Sequence, residues 1–382
     1  MRTMLRGNVV TPEGVVRGGT VVLEDDRIVD VLDGEAASGR AADVDLGEGW
    51  VLPGFIDVHV HGGYGADFMD ATVEAIDTIA SFHGRHGTTS MLATTMTAPK
   101  ADIDAVLRAA KAYMDQGPLS GARIVGVHLE GPFISPKWPG AQNPAFIVPP
   151  DIGWIEEWTA SYPGLVRLLT LAPEAPGAAE AIRLLRRRGV VVAAGHTDAT
   201  YAQVVAAADL GLAHAVHTFN AMTGLHHREP GVVGAAMTDP RIAAEVIADG
   251  IHVHPAAVTL LTRAKTNADL LLVTDAISAA GLGDGAYRLG GLDVTVRDGA
   301  ARLAHGDSLA GSTLTMIGAF RFMVERIGVS VEEASRFASA NAARRFGLDD
   351  VGAVRPGAKA DLVLLTPDLD IVRVYRDGRA IS

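Results

Sequence analysis

Several side chains that can carry a proton or bind a metal ion sit in apolar runs of this sequence. They are His59 and His61 in FIDVHVH, His128 and Glu130 in RIVGVHLEG, His196 in GVVVAAGHTD, His217 in LAHAVHTFNAM and Asp275 in DLLLVTDAI. A histidine or carboxylate in apolar surroundings is costly unless it is paired or ligated. Alternation along a strand puts His59 and His61 on one face. Together these residues make a candidate metal site with nitrogen and oxygen donors. Sulfur is excluded because the chain has no Cys, which also removes disulfides and a cysteine nucleophile. Such a donor set predicts a divalent metal. Zinc comes first, with iron, manganese, cobalt or nickel as alternatives. His128, two residues before Glu130, reads as a support that orients it, and His214, three before His217, as a similar support or a core residue. His83 and His86 read as solvent-facing or capping, and His254 and His305 as ordinary histidines.

The elements that must position these groups follow from the pattern around them. Eight apolar, strand-like runs lie at 55–61, 89–96, 123–131, 166–174, 189–198, 212–222, 244–253 and 269–277. Helical stretches separate them, among them residues 73–87, 102–117, 178–189 and 201–211, several ending at Gly. Eight β units alternating with helices predict an α/β fold, a (β/α)8 TIM-type barrel. In such a barrel the chemistry gathers at the C-terminal ends of the strands, where the unusual residues fall. Both chain ends are rich in β-branched residues between Gly, Pro and Asp. This predicts a small β-sandwich domain built from residues 1–52 and 353–382, around a barrel at 53–352. The Gly-rich excursion at 279–311 reads as a loop or hairpin insertion.

Composition bounds the function. The chain has 382 residues, 48% hydrophobic and 20% charged, so a sizeable core is available. Its 33 basic and 45 acidic residues give a net charge of -12, which disfavours nucleic acid and anionic membrane as partners. No apolar run is long enough for a membrane span or a signal peptide, and a cytoplasmic protein is expected. No Gly-rich segment matches a nucleotide-binding motif. The basic run Arg186–Arg188 reads as a helix C-terminus facing solvent.

Beyond these readings, the sequence resembles the amidohydrolase superfamily, and more closely its N-acetylglucosamine-6-phosphate deacetylase family. The resemblance rests on PGFIDVHVHGG (53–63), HLEGPF (128–133), GHTDA (195–199), HTFNAM (217–222), HREPG (227–231), DGIHV (249–253), TDA (274–276) and LAGS (309–312). It covers nearly the whole chain, including NAARRFGL and GAKADLVLL near the end. Many superfamily relatives bridge two metals with a carbamylated lysine. None of the five lysines here ends a candidate strand, and the resemblance gives the acidic ligand position to Glu130. The implied ligands are Glu130, His196 and His217, with His59 and His61 making a second ion plausible.

The resemblance implies that Asp275 acts as general base and then acid in hydrolysis of an acetamide by a metal-activated water. Gln142 takes the position of the family's oxyanion donor, where some members carry His. The implied substrate is an amino-sugar phosphate. Arg228 offers a fork for the phosphate, with Asn220, the backbone at Ala221, His252 and His227 around it. Leu309, Ala310 and Gly311 would line the sugar through their backbone. Asp249 would reach a sugar hydroxyl or serve structure. A homodimer is implied, with some phosphate contacts crossing the interface. The alternatives are an N-acetylgalactosamine-6-phosphate deacetylase, a cyclic amidase, and a non-catalytic sugar-phosphate binder or metal store on this scaffold.

Overall fold

The protein is described by a computed structural model covering residues 2–36, 41–116, 121–265, 268–306 and 308–381. Met1, residues 37–40 and Ser382 of the expected small β unit lie outside the described residues. So do Gly117, at the end of an expected helix, and Asp307 of the excursion.

The chain opens with four strands: β1 (Arg2–Thr11), β2 (Gly14–Glu24), β3 (Arg27–Leu32) and β4 (Val44–Pro53). β1 and β2 form an antiparallel hairpin, and β4 runs parallel to β1. Their inward side chains, including Leu5, Val9, Val21, Leu23, Ile28 and Val51, build a core separate from that of the barrel.

The barrel begins at β5 (Phe55–Asp57), followed by a short hairpin, β6 (Gly62–Gly63) and β7 (Ala66–Asp67). Seven more barrel strands follow: β8 (Thr88–Thr94), β9 (Arg123–Glu130), β10 (Val166–Leu171), β11 (Val191–Ala194), β12 (Leu212–Ala215), β13 (Ala243–Ile247) and β14 (Leu270–Val273). All eight predicted units are present, each strand shorter than its apolar run. They pair in parallel and in chain order, from β5 through β8 to β14. Strands such as β8 are buried along their whole length, as expected where one face meets the barrel interior and the other the helices. The seam between β14 and β5 is closed just beyond the strands. Asp275 N–H donates to the His59 carbonyl at 2.8 Å, and His61 N–H to the Ala276 carbonyl at 2.8 Å. The buried Asp57 carboxylate joins the same seam by accepting the Thr274 hydroxyl at 2.6 Å.

The helices crossing between strands are α1 (Val73–Arg85), α2 (Lys100–Asp115), α3 (Ile152–Ser161), α4 (Ala178–Arg187), α5 (Tyr201–Leu210), α6 (Gly231–Thr238) and α7 (Pro255–Ala264). Their starts follow the sequence: Thr72 caps α1, and Thr200 with Gln203 forms a capping box on α5. On α4 the buried Ala178, Ala181, Ile182 and Leu185 recur at helical spacing and face the barrel. Burying Ile182 and Leu185 contributes on the order of 1.5–3 kcal/mol each.

The excursion at 279–311 is more ordered than a loop or hairpin. It holds an antiparallel three-stranded sheet, β15 (Gly285–Leu289), β16 (Leu292–Arg297) and β17 (Ala300–Leu303). Its apolar face, Leu289, Val294, Val296 and Ala301, packs on Met96, Ala141 and Ile277 at the mouth of the barrel. Alternation over so few residues was masked by the four glycines at 285, 290, 291 and 299. The chain ends in β18 (Leu362–Leu365), β19 (Ile371–Arg376) and β20 (Arg379–Ala380), which join β4 and complete one seven-stranded sheet from both ends. Arg123 of β9 ties this sheet to the barrel, donating to Asp361 at 2.8 Å and Asp377 at 2.7 Å.

Candidate metal centre and substrate cleft

The strand ends place the predicted residues together. Glu130 is the last residue of β9, while His196, His217 and Asp275 each lie two residues past the end of β11, β12 and β14. These three adopt left-handed backbone, with φ of 48°, 29° and 50°. That region is uncommon for residues with a side chain and costs on the order of 1–3 kcal/mol. The same turn recurs at three strands and accompanies side chains that converge at the barrel mouth. Gly131, after Glu130, has φ of 86°, and a Cβ there would strike the Thr97 side chain. Only Gly fits.

Glu130 is the hub. Its Oε1 lies 3.2 Å from His196 Nε2, 3.1 Å from His217 Nε2 and 3.2 Å from His59 Nε2. Its Oε2 lies 3.2 Å from His61 Nε2 and accepts from Gln142 Nε2 at 2.6 Å. Asp275 Oδ1 is 3.2 Å from His61 Nε2 and 3.6 Å from His59 Nε2. Gln142 also accepts the Thr97 N–H at 2.7 Å, which orients its amide nitrogen toward Glu130.

Two tautomers follow from the outer contacts. His196 Nδ1 faces the Trp138 carbonyl at 2.9 Å, so Nδ1 carries the proton and Nε2 offers a lone pair. His59 Nδ1 faces Glu245 Oε2 at 2.9 Å, and its buried Nε2 makes no hydrogen bond. Glu245, which the sequence reading did not single out, supports three of the groups around the site. It is fully buried, and it also faces His214 Nε2 at 2.8 Å and accepts the His217 N–H at 3.1 Å. The signal was available as a lone acid inside the apolar run AAEVI.

The electrostatics call for positive charge. Burial alone would lower the pKa of His59, but Glu130, Glu245 and Asp275 outweigh it and hold the imidazole well above its ordinary value. His61 is likewise opposed by burial yet pushed up to about 9 by Asp275 and Glu130. Burial opposes ionisation of Glu130 and Asp275, but the facing imidazoles keep both below the ordinary carboxylate range. A bound cation would supply the charge that protons otherwise provide.

The geometry fits such a cation. Glu130 Oε1, His196 Nε2 and His217 Nε2 form a triangle with edges of 3.1–3.2 Å. Ligands of a tetrahedral ion at about 2.0–2.1 Å stand roughly 3.3–3.4 Å apart. The clusters His59–Glu130–His217 and His59–His61–Asp275 each bring three donors close enough to share an ion.

Two supporting histidines are placed differently from expectation. His128 does not bond Glu130: its Nε2 faces the Thr170 hydroxyl at 2.8 Å, and its ring packs edge-on to His59, centroids 4.6 Å apart. Burial and the neighbouring His59 keep it neutral. His83 is not solvent-facing. It is fully buried against the Gly62 carbonyl at 3.0 Å, and burial pushes its pKa down to about 4. His86 does cap, as the residue that follows α1, with Nδ1 on the Phe82 carbonyl at 2.8 Å. His214 is the support expected, through Glu245.

Above these groups lies a cleft of about 390 Å³. His61, Glu130, Gln142, His196, His217 and Asp275 line its floor, and Asn220, Ala221, His252, Leu309 and Gly311 also line it. Ala310 does not line it, being buried with its N–H on the Ala301 carbonyl at 3.0 Å. Asp249 is not open to a ligand either: it faces His252 Nδ1 at 2.7 Å and accepts two backbone N–H groups. His252 Nε2 is left buried with no hydrogen-bond partner. Arg228 and His227 are exposed, lie outside the cleft lining, and bond each other at 2.7 Å. Lys137 and Trp138 line the cleft and were not singled out from the sequence.

An eight-stranded parallel barrel with His and carboxylate donors at its strand ends defines a metal-site hydrolase architecture. The chain belongs to the amidohydrolase family, whose model matches residues 50–381. Among its relatives, N-acetylglucosamine-6-phosphate deacetylase of Bacillus subtilis (strain 168) is 40% identical, over 95% of this chain and 93% of its own. N-acetylgalactosamine-6-phosphate deacetylase of Escherichia coli O157:H7 is 42% identical, over 94% and 95%. A solved structure of a point mutant of N-acetyl-D-glucosamine-6-phosphate deacetylase from Mycobacterium smegmatis, in complex with N-acetyl-D-glucosamine-6-phosphate, superposes with a TM-score of 0.95 at 39% identity. It covers 100% of this chain and 99% of that one.

Proposed function

We propose that this protein hydrolyses the acetamide of N-acetylglucosamine-6-phosphate, giving acetate and glucosamine-6-phosphate. The observation that carries the reading is the convergence of Glu130, His196, His217 and Asp275 on one cleft, in a chain similar over its length to deacetylases of phosphorylated amino sugars. Glu130, His196 and His217 would hold a divalent cation. His59 and His61, beside Asp275, offer a second position, so one ion or two can be accommodated. Zinc suits the donors best, with iron, manganese, cobalt and nickel as the other choices. When bound, the cation supplies charge that makes water acidic near neutral pH and polarises the amide carbonyl.

The chain's own residues do the rest. Asp275 takes a proton from the attacking water and returns one to the nitrogen as the C–N bond breaks. Without a cation the facing imidazoles hold its carboxyl below the ordinary range against burial, and a bound cation would supply that charge instead. Gln142, oriented by Thr97, has a second amide hydrogen to donate to the carbonyl oxygen as negative charge develops. Asn220, the backbone of Ala221 and His252 receive the sugar phosphate, with Asp249 holding His252. Leu309 and Gly311 bound the sugar. Arg228, exposed and outside its own cleft, would serve the cleft of a second copy with His227, which requires a homodimer. Residues 1–52 with 353–382 form the supporting β unit, and 53–352 the catalytic barrel. Cytoplasmic location is part of this reading. Among the described residues no helix is long and apolar enough to cross a membrane.

A second reading is favoured by one observation: the relative at 42% identity acts on the galacto epimer. Acetate release from N-acetylglucosamine-6-phosphate, N-acetylgalactosamine-6-phosphate and plain N-acetylglucosamine separates the readings. A kcat/KM at least tenfold higher for the first supports the proposal. Preference for the second transfers the chemistry to the other epimer. No release from any metal-loaded sample supports a binder without catalysis.

A further inference from the structure

The chain is acidic overall, so an anionic substrate needs a local cation. Among the described residues lining the cleft, Lys137 is the only lysine or arginine. Its side chain is 72% exposed, and its Nζ rests on Asp198 Oδ2 at 2.5 Å. An exposed pair of this kind contributes little to stability and is easily exchanged for another anion.

The position of Lys137 is fixed by its neighbours. Ser135 donates its N–H to the His196 carbonyl at 2.7 Å, and the Trp138 carbonyl faces His196 Nδ1 at 2.9 Å. Lys137 is thus carried on a segment bonded on both sides to His196. The Trp138 indole N–H donates to Asp198 Oδ1 at 3.0 Å and sets the height of the same segment. Asp198 itself lies beside the expected sugar-phosphate residues: the Thr197 N–H donates to the Ala221 carbonyl at 3.2 Å, and Thr197 bridges to Met222. Lys137 lines the same cleft as Asn220 and Ala221. The other nearby acid, Glu174, is already occupied by the Thr197 hydroxyl and the Asp198 N–H.

We propose that Lys137 is a specificity-determining residue that exchanges its partner Asp198 for the substrate's phosphate. It would give each cleft a phosphate-reading cation from its own chain. This rests on the deacetylase reading above. The lysine acts as a point charge with three donors, so the contact is charge-assisted and needs no fixed fork.

The test compares metal-loaded wild type with Lys137→Met, which keeps the aliphatic stem, and Lys137→Arg, which keeps the charge. The quantity read is the ratio of kcat/KM for N-acetylglucosamine-6-phosphate over N-acetylglucosamine. A charge-assisted contact to phosphate predicts a fall in this ratio of about 10–100-fold in Lys137→Met, carried mainly by KM, with most of it restored in Lys137→Arg. Calorimetric binding of glucosamine-6-phosphate against glucosamine gives the same comparison without turnover. A wild type that discriminates, beside a Lys137→Met that discriminates equally, overturns the proposal alone. Parallel losses on both sugars also overturn it, since they assign Lys137 to holding the Trp138–His196 segment. A wild type that distinguishes the two sugars neither in turnover nor in binding removes the phosphorylated-substrate part of the reading above, and the role of Lys137 with it.

Discussion

Replacing Glu245 by Gln tests how far the metal centre depends on a residue that touches no substrate. The carboxylate accepts from three groups: His59 Nδ1 and the His217 N–H on Oε2, and His214 Nε2 on Oε1. A glutamine amide has one oxygen and one NH2. The His217 N–H is a backbone donor that cannot change its role, so the amide oxygen must face His217 and His59. The NH2 then faces His214, whose Nε2 must become an acceptor. Its proton moves to Nδ1, which is buried without a partner. The variant therefore keeps the His59 tautomer and loses the charge on two imidazole bonds. A charge-assisted bond contributes about 1.5–3 kcal/mol and a neutral one about 0.5–1.5. The expected loss of stability is roughly 3–6 kcal/mol, including about 1–3 for the stranded donor on His214. Supports of this kind are worth about 10–100-fold in metal affinity. Because the tautomer survives, the lower end is expected, about tenfold. Urea denaturation of metal-free protein and competition with a chromogenic chelator measure the two quantities. Affinity within a factor of two of wild type would refute the argument that Glu245 supports the centre through His59.

Asp275→Asn is expected to keep its metal content and lose about 10²–10⁴-fold in kcat, read by acetate release beside elemental analysis. Unchanged turnover would remove the proton-shuttle role. For His83 the buried folded-state pKa is about 4 against an ordinary 6.5. A depressed histidine contributes its stability above pH 6.5 and loses it as pH falls from 6.5 to 4. Over about 2.5 pH units at about 1.4 kcal/mol each, wild type loses roughly 3 kcal/mol more than His83→Gln across that window, measured by denaturation at each pH. Arg123→Leu leaves the buried Asp361 without its cation and is expected to destabilise the protein by about 3 kcal/mol. Calorimetric melting checks this, and a loss below 1 kcal/mol would contradict the idea that this bridge ties the terminal sheet to the barrel.

Much of the framework was legible because the relevant signals are local. Eight apolar runs separated by helical patterns gave all eight strands, and a His or acid at a strand end stands out against Val, Leu and Ala. The groups that failed to stand out depend on contacts distant in sequence. Glu245 is a lone acid in a five-residue apolar strand, and what it supports is set by partners 28, 31 and 186 residues away. His83 lies on a helix whose burial is set by the β6–β7 hairpin, so its own pattern could not reveal the Gly62 carbonyl above it. His128 was paired with Glu130 by proximity in sequence. Neighbours two apart on a strand share a face, but here the ring turns to Thr170 and His59 instead. Arg228 follows a motif that reads as part of the cleft, yet the loop that carries it leaves it outside the lining of its own chain.

The most direct test is acetate release from N-acetylglucosamine-6-phosphate by protein whose metal content has been measured, before and after chelation and after metal is restored. The account predicts release that falls with the metal and returns with it, and release about 10²–10⁴-fold slower from an equally loaded Asp275→Asn sample. Release that persists undiminished in metal-free protein would contradict the assignment of Glu130, His196 and His217 to a cation that drives the reaction.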